Sequence, residues 1–299
     1  MVNDIHILGK GAVGLLFANR LAQHNAVTLI TRTPTSAPFH IIENGFTKQV
    51  PARRTTLASQ KSGITNCLIP VKAYQLSQAM REISPHLSDN ANIIISHNGM
   101  SDLTEVAQHL KPDQALFFLT TSMGGMKPDA NTVKHTGAGL TQFGAYNFVA
   151  KQRQQSVFDE LLKPCIHPLE LVPNMSEVRW QKLCVNIAIN PLSALHQCKN
   201  GKLRKPTHAR QILALLNEAC HIARLEGVNL KLSSELERAY NVMKLTAKNN
   251  SSMAQDIKHR RRTEVDAICG FIVKQAAKHG VSAPENERLW QLVKQKERA

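Results

Sequence analysis

Ile5-His-Ile-Leu-Gly9-Lys10-Gly11-Ala12-Val13-Gly14 opens the chain, and Ala26-Val-Thr-Leu-Ile30-Thr-Arg32 follows one helix-length later. Apolar residues at 5, 7 and 8 make the first piece a short strand. Residues 12–23 then read as a helix with Leu15, Leu16, Ala18 and Leu21 turned inward, and 26–30 as a second strand. Strand, glycine-rich turn, helix and strand make a βαβ unit. The G-x-G-x-x-G spacing is weak alone, because glycines fall that way often by chance. Its place after a strand and at a helix start supplies the context that dinucleotide binding needs. Gly9 permits the tight turn. Gly11 lets the backbone approach a pyrophosphate at the positive helix end, and Gly14 lets the helix pack close on the strand. The alternative is a glycine-rich turn without a ligand.

The end of the second strand discriminates between cofactors. An NAD site usually ends it in Asp or Glu, which accepts from the ribose 2′-hydroxyl. This strand ends Thr31-Arg32-Thr33, with Arg32 18 residues past Gly14. A guanidinium there can hold a 2′-phosphate through two parallel bonds. NADP(H) is therefore expected over NAD(H), against the plainer reading of a solvated surface arginine.

Outward from this unit, short apolar runs recur at 66–71, 92–96 and 115–120, with helical stretches at 74–87 and 101–110 between them. Strands alternating with helices imply crossovers and a parallel sheet. Between 131 and 149 a glycine-rich alternation predicts an antiparallel addition to the sheet edge. From residue 175 onward strand signals vanish: 176–197, 207–226, 233–247, 255–279 and 284–297 read as helices. Gly280 closes the fourth and Pro284 opens the last. The fold class is α/β, a Rossmann-type doubly wound sheet followed by an all-helical part. Pro164, Pro168 and Pro173 interrupt any helix near the junction, which gives a cofactor domain over 1–172 and a helical substrate and catalytic domain over 173–299.

Composition adds bounds. The 299 residues are 42% hydrophobic and 20% charged, ordinary for a two-domain globular chain. No apolar run reaches the ~18–20 residues that span a bilayer. No signal-type segment precedes the first strand, so a cytoplasmic location and no membrane partner are expected. The six cysteines lack a C-x-x-C pair and the 13 histidines lack ligand spacing, so no metal is expected. The formal net charge of +15 is unusual. Basic residues are spread along the chain apart from Lys258-His-Arg-Arg-Arg262, without the aromatic or zinc-finger patterns of nucleic-acid binders. A basic surface that attracts small anions is the preferred reading, and no nucleic-acid partner is expected.

Several polar residues stand out. Lys182, Asn186 and Asn190 recur at every fourth position, within ~80° of one helix stripe, among Leu183, Val185, Ile187 and Ile189. That suits a pocket for a polarised oxygen and equally an exposed polar face. Asn98, in His97-Asn98-Gly99-Met100, follows the 92–96 strand at the C-terminal sheet edge, where doubly wound folds bind ligands. An ordinary Asn-Gly turn is the other reading. Lys72 ends the neighbouring strand, within reach of cofactor or substrate. Ser252-Met-Ala-Gln255 reads equally as a capping box, and Glu264 as an acidic first-turn residue.

Together these segments resemble the ketopantoate reductase (2-dehydropantoate 2-reductase) family. The likeness runs from residue 5 to about 297 through Gly9–Gly14, Val71-Lys72-Ala73, His97–Met100, Trp180-Gln-Lys182-Leu-Cys-Val-Asn186, Asn190-Pro-Leu192, Cys198-Lys-Asn200-Gly201, Ser251–Asp256, Thr263-Glu264 and Pro284-Glu-Asn286. The resemblance implies NADPH-dependent hydride transfer to the C2 ketone of ketopantoate, in a cleft between a Rossmann and a helical domain. It implies Lys182 as general acid and Glu264 as a glutamate close to cofactor and substrate. Asn98 would touch substrate and nicotinamide. Asn186, Asn190, Asn200 and Ser252 would contact substrate, with Ser252 near its carboxylate. Lys72 and Arg32 would contact the cofactor, Arg32 at the 2′-phosphate, alongside the loop Gly9, Lys10, Gly11, Ala12, Val13 and Gly14. Thr121-Ser-Met-Gly-Gly125 is less similar to the family's loop; Gly125 is its candidate backbone contact. The implied partner is a small-molecule 2-keto acid, met by a monomer or homodimer. A related 2-keto acid as substrate stays open. A non-catalytic nucleotide or nucleic-acid binder is disfavoured by the joint presence of Lys182, Asn186, Ser252 and Glu264.

Overall fold

The computed structural model describes residues 2–60, 63–101 and 103–298; Met1, Lys61, Ser62, Asp102 and Ala299 lie outside the described residues. The chain divides into two units. One takes the chain up to His97 and again up to Met175, and the other takes Asn98–Ser101 and the chain from Ser176 on.

The first unit runs β1 (Asn3–Leu8), α1 (Ala12–Leu21), β2 (Asn25–Thr31), β3 (His40–Glu43), β4 (Phe46–Gln49), β5 (Arg53–Thr56), β6 (Ile64–Pro70), α2 (Leu76–Ile83), β7 (Leu87–Ser96), α3 (Leu103–Ala107), β8 (Ala115–Thr121), β9 (Gly124–Met126), β10 (Thr132–Gly137), β11 (Thr141–Ala145), α4 (Phe148–Ser156) and β12 (Leu169–Leu171). Eight strands form one sheet in the order β12-β11-β8-β7-β6-β1-β2-β5. Its neighbours pair in parallel, apart from the antiparallel pair β8 and β11. From β1 the chain winds outward through β2 to β5, returns to β6 on the other side of β1, and winds away through β7 and β8. That reversal makes the C-terminal ends of β1 and β6 the switch point where open parallel sheets bind ligands. Ile5 and Ile7 of β1, Leu29, Leu68 and Phe117 share a core with Leu15, Leu16 and Leu21 of α1, so burial of its apolar stripe holds the helix on this sheet face.

The glycine-rich stretch divides between two sheets. β11 is the antiparallel addition that the alternation predicts, but it is not the sheet edge, since β12 pairs in parallel beyond it. β10 instead pairs in parallel with β3 and antiparallel with β9, in a separate sheet ordered β4-β3-β10-β9. β3 and β4 turn at Asn44-Gly45, with φ of 51° and 83°, as a two-residue type I′ hairpin requires. The 74–87 stretch is α-helical only over Leu76–Ile83, flanked by single 3-10 turns.

Helix α5 (Met175–His196) leads into α6 (Pro206–Leu225), α7 (Leu232–Leu245), α8 (Ser252–Lys258), α9 (Cys269–Lys278) and α10 (Pro284–Arg298). Leu183, Ile187, Leu215, Leu216, Ile222, Ile272 and Leu289 belong to the core of this second unit. The 255–279 stretch is not one helix: α8 and α9 are separated by a loop holding one 3-10 turn, Val265–Ala267. Neither Pro nor Gly marks the break. Tertiary bonds make it, and they belong to the site. Among the described residues no helix is long and apolar enough to cross a membrane.

Candidate functional site

In the first unit, β1 delivers the chain to Gly9, whose φ of +109° only glycine adopts readily. The Gly9 N–H donates to the Ile30 carbonyl at 2.9 Å, which ties the loop to the end of β2 near Arg32. A Cβ on Gly14 would lie 2.7 Å from the Gly9 carbonyl oxygen, whereas on Gly9 or Gly11 it would meet nothing within 4 Å. Gly14 is thus a packing glycine, and the space over Gly9 and Gly11 is open. Gly11 caps α1 with extended backbone, and the N–H groups of Ala12, Val13 and Gly14 have no acceptor inside the helix. A ten-residue helix that starts at so open a loop can take an anion there. This cradle fits the pyrophosphate of a dinucleotide.

Around the cradle stand cations. Lys10 Nζ lies 3.4 Å from Asn131 Oδ1 and 5.5 Å above the Phe39 ring. Lys127 Nζ donates to the Lys10 carbonyl at 3.1 Å, and burial followed by the Lys10 charge lowers its pKa. Arg32 is exposed just past β2, and Lys72 is half-buried just past β6. Gly125, on β9, sits where a Cβ would press on Leu16 of α1 at 2.8 Å. Lys127, Phe39 and Asn131 carry no motif and escape a sequence reading, because β9, β10 and the approach to β3 meet the loop only through long-range pairing.

The second unit collects Lys182, Glu264 and Asn98. Lys182 lies on α5, where burial pulls its ammonium down to about 8 from the usual 10.5, against the opposing pull of the Glu264 carboxylate. Glu264 is only 4% exposed, so it is no solvated first-turn acid. It heads the Val265–Ala267 turn, and its Oε2 accepts from Asn98 Nδ2 at 3.4 Å. Asn98 is held in turn by its neighbours. The Met100 N–H donates to the Ala267 carbonyl at 2.8 Å, and Gly99, with φ of +72°, lies so close that a Cβ would come within 2.4 Å of that oxygen. An ammonium, a carboxylate and an amide in one partly dry place can hold a proton near a polarised oxygen.

Further along α5, Asn186 has a buried Nδ2 with no hydrogen-bond partner among the described residues, and Asn200 an Oδ1 in the same state. Buried amide atoms left so can take up a ligand or a water. Asn190 is buried, and its carbonyl lies 3.1 Å from the Ser193 hydroxyl, itself 2.6 Å from Ser251 Oγ. Asn200 donates from Nδ2 to Thr246 Oγ1 at 3.0 Å and from its backbone to the Asn249 carbonyl at 3.0 Å. The segment 246–252 therefore links Asn190, Asn200 and Ser252. The cap of α8 is Ser251, which accepts from the Ala254 N–H at 3.0 Å; Ser252 stands exposed at the first helical position. The capping-box reading at Ser252 is off by one residue, and its hydroxyl is left for other work.

The family model "Ketopantoate reductase PanE/ApbA" matches residues 5–147, and "Ketopantoate reductase PanE/ApbA C terminal" matches 174–297. The 2-dehydropantoate 2-reductase of Vibrio cholerae is 33% identical over 293 residues, 97% of this chain and 97% of that one. Its counterpart in Yersinia pestis is 31% identical over 304 residues, 98% and 95% of the two chains. Among solved structures, a probable 2-dehydropantoate 2-reductase from Bacillus subtilis aligns with a TM-score of 0.84 at 27% identity, over 98% of this chain and 99% of that one. D-mandelate dehydrogenase with NADH and anilino(oxo)acetate aligns at 0.90 with 22% identity, over 98% of each chain, a likeness of fold.

Proposed function

The chain belongs to the ketopantoate reductase family, and we propose that it reduces the C2 ketone of ketopantoate to pantoate with NADPH, in pantothenate and coenzyme A synthesis. The observation that supports this most is the partly buried cluster of Lys182, Glu264 and Asn98. A reduced nicotinamide, when bound, supplies the hydride. Gly9–Gly14 and Lys10 would hold its pyrophosphate and Arg32 its 2′-phosphate, with Lys72 and Gly125 as further contacts.

The remaining work falls to side chains. Lys182 holds a proton and gives it to the ketone oxygen as negative charge grows there. With a pKa near 8 it is charged at neutral pH and still acidic enough to let the proton go. Glu264 keeps that ammonium charged and in place, and Asn98 fixes the carboxylate. Asn186 donates its unpartnered amide to the substrate. Asn190, Asn200 and Ser252 distinguish the hydroxyl and carboxylate of ketopantoate from those of other keto acids.

The test follows loss of reduced-cofactor absorbance with ketopantoate, pyruvate and other 2-keto acids, with NADPH and NADH side by side. Ketopantoate with NADPH is expected to give the highest kcat/KM. Arg32→Ala is expected to raise the NADPH KM roughly 10–100-fold, the worth of a charge-assisted bond, and to leave NADH unaffected. A higher kcat/KM on a keto acid without the 4-hydroxyl would replace ketopantoate by that relative. Equal use of NADH would overturn the cofactor.

A further inference from the structure

The turn that carries Glu264 is gripped by the last helix of the chain. Thr263, wholly buried, donates its N–H and its hydroxyl to Glu297 Oε1 at 2.7 and 2.6 Å. Asp266 takes Trp290 Nε1–H on Oδ1 at 2.8 Å, and Lys294 and Arg262 on Oδ2 at 3.2 Å each. Lys294 also pairs with Glu297 Oε2 at 2.8 Å. Residues 290, 294 and 297 share one face of α10, so this face holds the chain on both sides of Glu264, at 263 and at 266. Between them, Glu264 turns its Oε2 to Asn98.

Side chains of Arg262, Lys294 and Asp266 are 54%, 29% and 25% exposed, and ion pairs so open to solvent add little to stability. What hydrogen-bonded charges supply is geometry. We infer that Glu297 of the C-terminal helix is a positioning residue for Glu264, supported by Lys294 and Trp290, and sets where that carboxylate stands relative to Lys182 and Asn98. This rests on the role proposed above for Glu264. The groups facing the turn are Glu297, Lys294, Asp266 and Arg262; the charge acting on Lys182 is that of Glu264.

The experiment compares Glu264→Gln, Glu297→Ala, Glu297→Gln and the double variant Glu264→Gln with Glu297→Ala, in the full chain. Two quantities are read: the titration midpoint of Lys182 by NMR in ligand-free, lysine-labelled protein, and kcat against pH. Glu264→Gln lowers the midpoint, because the carboxylate holds it up. Glu297→Ala moves it the same way, lowers kcat about tenfold and changes the ketopantoate KM little. Glu297→Gln keeps an oxygen acceptor for Thr263 and stays near wild type, and the double variant shifts no further than Glu264→Gln. If Glu297→Ala does not fold, Thr263→Val, which loses only the hydroxyl bond, has to move the midpoint the same way. Loss of thermal stability with midpoint and kcat unmoved overturns the inference and leaves Glu264 its role. An unmoved midpoint and kcat in Glu264→Gln overturn both.

Discussion

An ammonium that titrates near 8 in the folded chain and near 10.5 in a free lysine weakens folding at neutral pH. Between those values the unfolded chain binds more protons, so stability rises as pH climbs through the window, and below about 8 the deficit is complete. The size is roughly 3 kcal/mol, at about 1.4 per pH unit. Lys182→Met is therefore expected to raise Tm at pH 7, with the gain shrinking toward pH 10, while kcat drops ~10²–10⁴-fold with the loss of the proton donor. Calorimetry at several pH values reads the first effect and the cofactor assay the second. A Tm gain independent of pH would mean that packing, not charge, is what the lysine costs. In wild type the same proton is expected to make turnover fall as pH rises past 8, read from kcat against pH. The i, i+4, i+8 stripe made Lys182 stand out in its own helix; Glu264 was legible only through the Thr263-Glu264 segment of the family resemblance, because nothing local says which surface a 3-10 turn buries.

Elements were legible where periodicity is local. The βαβ unit, α5, α6, α7 and α10 follow their apolar patterns closely. The small sheet was hidden: β4 is exposed throughout, β9 has three residues, and β10 joins β3 across ninety residues of chain. The α8–α9 break was hidden for a related reason, since its causes lie at Glu297, Asn98 and Ala267 rather than in a breaker residue. Segment 98–101 makes that coupling testable. Gly99→Ala adds a Cβ against the Ala267 carbonyl and forces an alanine into positive φ, so it should cost about 1–3 kcal/mol and lower kcat by displacing Asn98 and Glu264 together. Urea unfolding with kinetics decides; a stable variant of normal kcat would show that the two segments move independently. At the start of α8 the two serines separate. Ser251→Ala should lose about 1 kcal/mol of stability with its cap. Ser252→Ala should keep stability and raise the KM for the keto acid.

Across the whole chain, 37 Lys and Arg face 22 Asp and Glu, an imbalance that the fold accounts for only in part. Within the basic run, Arg261 pairs with Asp256 at 3.0 Å and Arg262 with Asp266 at 3.2 Å, so two of its charges staple the loop before Glu264. Lys258, His259 and Arg260 are exposed. Both proposed ligands are anions, and a cationic surface raises their encounter rate without altering the chemical step. Between ionic strengths of about 0.01 and 1 M the Debye length shrinks from ~30 to ~3 Å. Over that range kcat/KM for ketopantoate should fall several-fold while kcat holds nearly constant, since the proton proposed to leave Lys182 would move in a partly buried place that salt screens little. Replacing Lys258 and Arg260 by alanine should flatten the salt dependence and leave kcat alone, for neither touches the Lys182 cluster. Were kcat to fall with salt in step with kcat/KM, the charge would act on the reacting groups themselves, and the source to pursue would be the cations nearest the Glu264 turn, Arg262 and Lys294.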